Sequence, residues 1–139
     1  MNNPKGFTLV EVLVSSLILT LVLVGVIAVF VQTVEISRRI DYEYTAANLA
    51  RSRIEFARAV VKTRGFDALT QDAFGEEDTR IDAEGKPASA TGEFYRTTTV
   101  TADYDGNARL TEVKVRVSYE FQGARTNDSA VLDIIFADI

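Results

Sequence analysis

Neither cysteine nor histidine occurs in the 139 residues. Without cysteine there is no disulfide framework and no thiolate metal site. Without histidine the commonest general base and metal ligand is gone. There is no glycine-rich phosphate loop, and no nucleophile stands beside a base in the pattern that covalent catalysis needs. Proline occurs only at Pro4 and Pro87, so none interrupts residues 7–64. Positive charge is in deficit: 15 Lys and Arg stand against 20 Asp and Glu, a formal net charge of -5. That balance argues against nucleic acid as a partner. No enzyme, cofactor or metal is expected on these grounds, and the function is sought in structure and assembly.

The informative segment is the first thirty-five residues. A short polar leader ends in Lys5-Gly6, followed by Phe7-Thr8-Leu9-Val10-Glu11 and an apolar run from Val12 to Val34. No residue between Glu11 and Glu35 is charged. As a helix this run measures about 35 Å, enough to span a bilayer. A carboxylate at the start of such a span costs roughly 2.5–3.5 kcal/mol when buried in hydrocarbon, and by default marks function. A secretory signal peptide fits poorly, because apolar residues continue past Gly25 and Ala28 to Val34. An uncleaved signal anchor fits length and hydropathy but leaves Glu11 without a purpose. A helix-capping role at the membrane interface is the bland alternative for that acid.

The arrangement Lys5-Gly6-Phe7-Thr8-Leu9-Val10-Glu11 followed by the span resembles the processing site of type IV pilins and type II secretion pseudopilins. The resemblance extends through Ala46–Glu55, which is similar to V-type minor pilins and I-type minor pseudopilins, and to Val113–Val117 before a glycine turn. It implies a cytoplasmic leader at residues 1–6, cleavage after Gly6 by a prepilin peptidase, and N-methylation of Phe7. Lys5, Gly6 and Phe7 are then processing residues and Glu11 an assembly residue. The implied protein is a minor pilin or pseudopilin of a pilus, secretion or competence machine, with a place in a tip or priming complex. Its partners would be other subunits, an inner-membrane assembly platform and membrane lipid. It would cross the inner membrane once with a periplasmic head, then enter a filament. The alternative is an uncleaved single-pass protein with a small periplasmic binding head. Arg38 and Arg39 after the span favour the opposite orientation by the positive-inside rule, which the resemblance overrides. Physically, cleavage would free the Phe7 nitrogen as an α-amine. Glu11 would lie four residues away on one helix face, or would meet the amine of a neighbouring subunit.

The rest predicts an α+β fold: one long helix, membrane-spanning over 7–34 and amphipathic over 35–64, packed on a head at 65–139. The expected stripe is Ile36, Ile40, Tyr44, Ala47, Ala50, Ile54, Ala57 and Val61, widened by Leu49, Phe56 and Val60. Gly65 is the expected stop. Residues 66–74 suit a short helix or turn, and 75–93 a polar surface loop in which Glu76-Glu77-Asp78 form a solvated acidic cluster. Three antiparallel strands are expected, at 94–103, 110–121 and 130–136. Turns fall at Asp105-Gly106-Asn107 and Gln122-Gly123. Asp103–Asn107 lacks the spacing of a calcium loop. Charge is uneven: residues 35–64 hold seven cations and four acids, residues 65–139 seven and fifteen.

Overall fold

The computed structural model describes residues 7–88, 92–126 and 130–138. Residues up to Arg38 and residues from Arg39 onward form two compact units. One α-helix, α1 (Leu9–Arg64), contributes to both. It starts after Thr8 and ends at Gly65, whose φ of +90° is a conformation that side-chain-bearing residues rarely adopt. The Gly65 N–H still donates to Val61 O at 3.0 Å, closing the last turn. Lys62 and Arg64 sit in that turn, where the helix dipole favours cations.

A 3-10 turn (Phe66–Ala68) and a one-turn helix, α2 (Gln71–Phe74), follow. The Thr70 hydroxyl caps α2 by accepting from the Ala73 N–H at 3.2 Å. The strands are β1 (Glu76–Ile81), β2 (Phe94–Thr101), β3 (Leu110–Phe121), β4 (Ala124–Arg125) and β5 (Ala130–Ala137). All pairings are antiparallel: β1 with β2, β2 with β3, and β3 with both β4 and β5. The α+β class agrees with expectation, but five strands replace the expected three.

The two additional strands have separate causes. β1 lies inside the segment expected to be a polar loop. Its sequence Glu-Glu-Asp-Thr-Arg-Ile offers one large apolar residue, Ile81, which is fully buried. The inward side of the rest is neutralised by charge pairing rather than by apolar alternation. β4 is two residues long and exists because Gln122 (φ +53°) and Gly123 (φ +76°) form a tight turn with both residues left-handed. Such a turn matches the twist of the strands it joins. Between β2 and β3 the chain makes a 3-10 turn at Tyr104–Gly106, with Asp103 and Asp105 also left-handed.

Within the second unit, α1 covers one face of the sheet. Ala46, Leu49, Ala50, Ile54 and Ala57 are buried against Ile81, Phe94, Val100, Val113, Val115, Val117 and Tyr119. Tyr42 adds an aromatic corner, its ring 5.7 Å from Phe94, 5.4 Å from Tyr119 and 5.8 Å from Phe121. The expected stripe is only half right. Ile36, Ile40, Tyr44, Ala47 and Phe56 are exposed. Two apolar series run along this helix at spacings of three and four, and periodicity alone does not choose between them. The sheet takes the series with small residues at 46, 50 and 57, because alanine lets a helix approach a sheet closely. Ala57→Leu should therefore destabilise this unit by about 1–3 kcal/mol through overpacking. Ala47→Leu on the exposed series should change it by about 0.5 kcal/mol or less. Thermal unfolding of the two variants checks the choice of face.

Candidate functional site

The helix start is built by two side chains. Thr8 is the residue before the first helical turn, and Glu11 is the third residue inside it. The Glu11 N–H donates to the Thr8 hydroxyl oxygen at 3.3 Å. In return the Glu11 carboxylate accepts from the Thr8 N–H and from its hydroxyl, at 3.4 Å each. This is a reciprocal capping box, which occupies helix-terminal donors that have no partner within the helix. The acid also lies where the helix dipole favours negative charge. Phe7 precedes the helix and is exposed. It does not share a helical face with Glu11 here, because the cap at Thr8 takes the preceding residue out of the helix. Lys5 and Gly6 lie outside the described residues.

Beyond the cap, every residue from Val12 to Val34 is exposed. Most are large and apolar, and their side chains have no core to enter. Polar atoms in this stretch are largely turned inward. Ser16 Oγ donates to Leu13 O at 2.9 Å, Thr20 Oγ1 to Ser16 O at 2.8 Å and Thr33 Oγ1 to Val29 O at 2.8 Å. A hydroxyl bonded to its own helix makes no demand on its surroundings. The helix is long and apolar enough to cross a membrane, and its backbone and the hydroxyls of Ser16, Thr20 and Thr33 meet the requirement that hydrocarbon imposes.

The second unit contains a buried ionic cluster that sequence reasoning missed. Arg96, on the inner face of β2, is only 7 % exposed. Its guanidinium donates to Glu76 through Nε at 2.6 Å and through Nη2 at 2.9 Å. Thr98 Oγ1 adds a third contact to the same carboxylate at 3.3 Å. Arg53 of α1 lies 3.4 Å from Glu76, donates to Phe74 O at 2.8 Å, and stacks 4.1 Å from the Phe74 ring centroid. Burial alone would push the Glu76 carboxyl up. The bonds from Arg96, the charges of Arg53 and Arg96, and the Thr98 hydroxyl outweigh it and hold the group below the usual carboxylate range. Burial lowers the Arg53 pKa, and Glu76 opposes that shift.

The expected solvated cluster Glu76-Glu77-Asp78 is therefore split. The pairing register shifts between Glu76 and Thr79, a bulge at which Asp78 turns left-handed. Asp78 pairs instead with Arg125, which lies over the Tyr95 ring on the other face of the sheet. That bond holds Asp78 below its ordinary value. Among the described residues no group of three acidic side chains is brought together to hold a metal ion. The Glu76 cluster joins helix and sheet, tying Arg53 of α1 to Glu76 of β1 and Arg96 of β2.

Taken together, the fold and the helix start define a membrane-anchored protein with a small α+β unit. Residues 1–27 match the prokaryotic N-terminal methylation motif, the hallmark of type IV pilins and pseudopilins, whose subunits are structural. No curated protein and no solved structure matches the chain. Of the motif's residues, sequence reasoning assigned Lys5, Gly6, Phe7 and Glu11 but gave Thr8 no role. The spacing Thr-x-x-Glu before an apolar run is itself the signature of a capping box and would have found it.

Proposed function

We propose that this chain is a minor pilin or pseudopilin, a structural subunit that a prepilin peptidase cleaves after Gly6 and methylates at Phe7. The single observation that carries the reading is Glu11. It is the sole carboxylate at the head of the exposed apolar run from Val12 to Val34, within a matched methylation motif. Before assembly the span sits in the inner membrane with the head in the periplasm. On extraction, the exposed apolar side chains pack against those of other subunits. Glu11 then faces the free α-amine of a neighbour, in surroundings where each charge would be costly alone. A small head built on a short sheet suits a place in a tip or priming complex of a pilus, secretion or competence machine.

The similarity of Ala46–Glu55 to V-type and I-type minor subunits has a physical basis in this fold. Ala46, Leu49, Ala50 and Ile54 are the buried face of α1, so that segment reflects packing as much as role. The capping box supports one alternative, an uncleaved single-pass protein with a small binding head, since it gives Glu11 a use that needs no assembly.

The direct test is the intact mass and N-terminal residue of the chain produced together with a prepilin peptidase. The expected product begins at Phe7 and is one methyl group heavier than the cleaved sequence. A chain that still begins at Met1 overturns the processing, and the uncleaved anchor becomes the better account.

A further inference from the structure

The sheet has one closed edge and one open edge. At β1 the bulge and the left-handed Asp78 distort the outer side. The chain then doubles back, so that Ile81 bridges Pro87 and the Ala88 N–H donates to Arg80 O at 3.0 Å. These are the devices by which proteins prevent strand addition. β5 has none of them: eight residues run without proline, bulge or lysine, and Asp133 is their one charge.

The register identifies which groups β5 leaves free. The Asp138 N–H donates to Arg109 O at 2.9 Å. Antiparallel pairs alternate between facing and averted residues. Even-numbered residues of β5 therefore turn N–H and C=O toward β3, and Val131, Asp133, Ile135 and Ala137 turn theirs outward. Among the described residues nothing bonds to the backbone of these four. The side chains are unfinished as well. Leu132, Ile134 and Phe136 face α1 but stay only half-buried, and Val131 and Ile135 on the opposite face are 45 % and 48 % exposed. Between α1 and β5 lies a hollow of about 250 Å³ with Ile54, Leu132 and Ile134 on its floor. At its rim Arg58 is paired with Glu55 at 2.6 Å. Arg51, on the same rim, has no charged or hydrogen-bonding partner among the described residues.

We propose that the β5 edge receives an extended segment of a different polypeptide, apolar on the side that meets α1 and carrying there an acidic side chain for Arg51. Backbone pairing along Val131–Ala137 supplies affinity, and the hollow and Arg51 select the side chains. A copy of this chain does not supply the segment through β1, whose edge is closed by its own bulge and loop. Self-pairing of β5 in the register that sets Asp133 against Asp133 brings like charges opposite each other. The inference holds whether or not the chain is assembled into a filament.

The probe is a synthetic ten-residue peptide with valine at alternate positions, one glutamate among the valines and threonine elsewhere. It is added to the full chain in detergent micelles, and amide hydrogen exchange is followed residue by residue. Expected is slowing by about tenfold or more at Val131, Asp133 and Ile135, with Leu132 and Ile134, already bonded to β3, unchanged. Ile135→Pro removes an outward N–H while leaving the β3 ladder whole, so it should abolish binding at an unaltered thermal midpoint. Arg51→Glu should weaken this peptide by about tenfold but not its glutamine counterpart. Peptide binding without protection of the three outward amides overturns the proposal, as does free exchange there at millimolar peptide. Protection of those amides with no peptide present, together with dimerisation, overturns the choice of partner.

Discussion

Glu76→Ala is expected to cost the second unit about 3–5 kcal/mol, the range for stranding a buried charge by removing its partner. Arg96 is nearly buried and Arg53 largely so. Without the carboxylate two guanidinium groups face each other on the inner side of the sheet. A domain of this size is stable by roughly 5–15 kcal/mol, so the loss takes a third or more of the total. Glu76→Ala combined with Arg96→Ala should cost less than the two single changes added, because the double variant leaves one fewer stranded charge. Additive costs would mean that the pair is not energetically coupled.

The same carboxyl predicts an acid limb. Its pKa in the folded state lies below the ordinary value. The unfolded chain, near the usual glutamate value of about 4.3, therefore takes up its proton first as the pH falls. Stabilisation by Glu76 is complete above that value and disappears as the pH drops through the lower folded one. Asp78 shifts in the same direction but is half-exposed, so it adds little. Thermal midpoints between pH 7 and pH 3 should fall less steeply in Glu76→Gln than in the parent. Parallel curves would remove the cluster as the source of acid sensitivity.

How much of this was legible in the sequence depends on what kind of contact makes each element. β3 was readable to its ends, because Val113, Val115, Val117, Tyr119 and Phe121 alternate with polar residues and that face is buried as far as Tyr119, with Phe121 half-buried at the end. β1 was not, because its inward positions include Glu76, and a paired carboxylate looks in sequence like a solvated one. The membrane-length run needs only composition and was clear. The packing face of α1 was half legible: the apolar series through Ile40, Tyr44 and Ala47 is as periodic as the one through Ala46, Leu49 and Ala50. Only the shape of the sheet decides between them. At the site, the acid was visible by its isolation in an apolar run. Its present partner Thr8 stands out less, because a lone hydroxyl carries neither charge nor apolar periodicity and gains its role only from the Glu11 three residues on.

Replacing Glu11 with alanine is expected to leave cleavage after Gly6 intact and to abolish incorporation into a filament. If one buried ion pair per subunit contributes about 3–5 kcal/mol when broken on one side, the loss exceeds about a hundredfold in association. The capping box complicates that experiment, because alanine removes both the charge and the reciprocal bond to Thr8. Glutamine separates them. It retains the capping function, since Gln serves at that position of the box, but it carries no charge to meet an α-amine. Thr8→Val makes the complementary change: it deletes the hydroxyl at a cost of about 1 kcal/mol in helix start and leaves the carboxylate. A subunit that assembles through the ion pair should fail as Glu11→Gln and survive as Thr8→Val. A protein that uses Glu11 only as a cap should show the reverse order, tolerating Gln and weakening with Val. Crosslinking of subunits in membranes, scored beside the N-terminal mass of each variant, reads both outcomes. Processing is scored separately, so a variant that is merely uncleaved is not mistaken for one that cannot assemble.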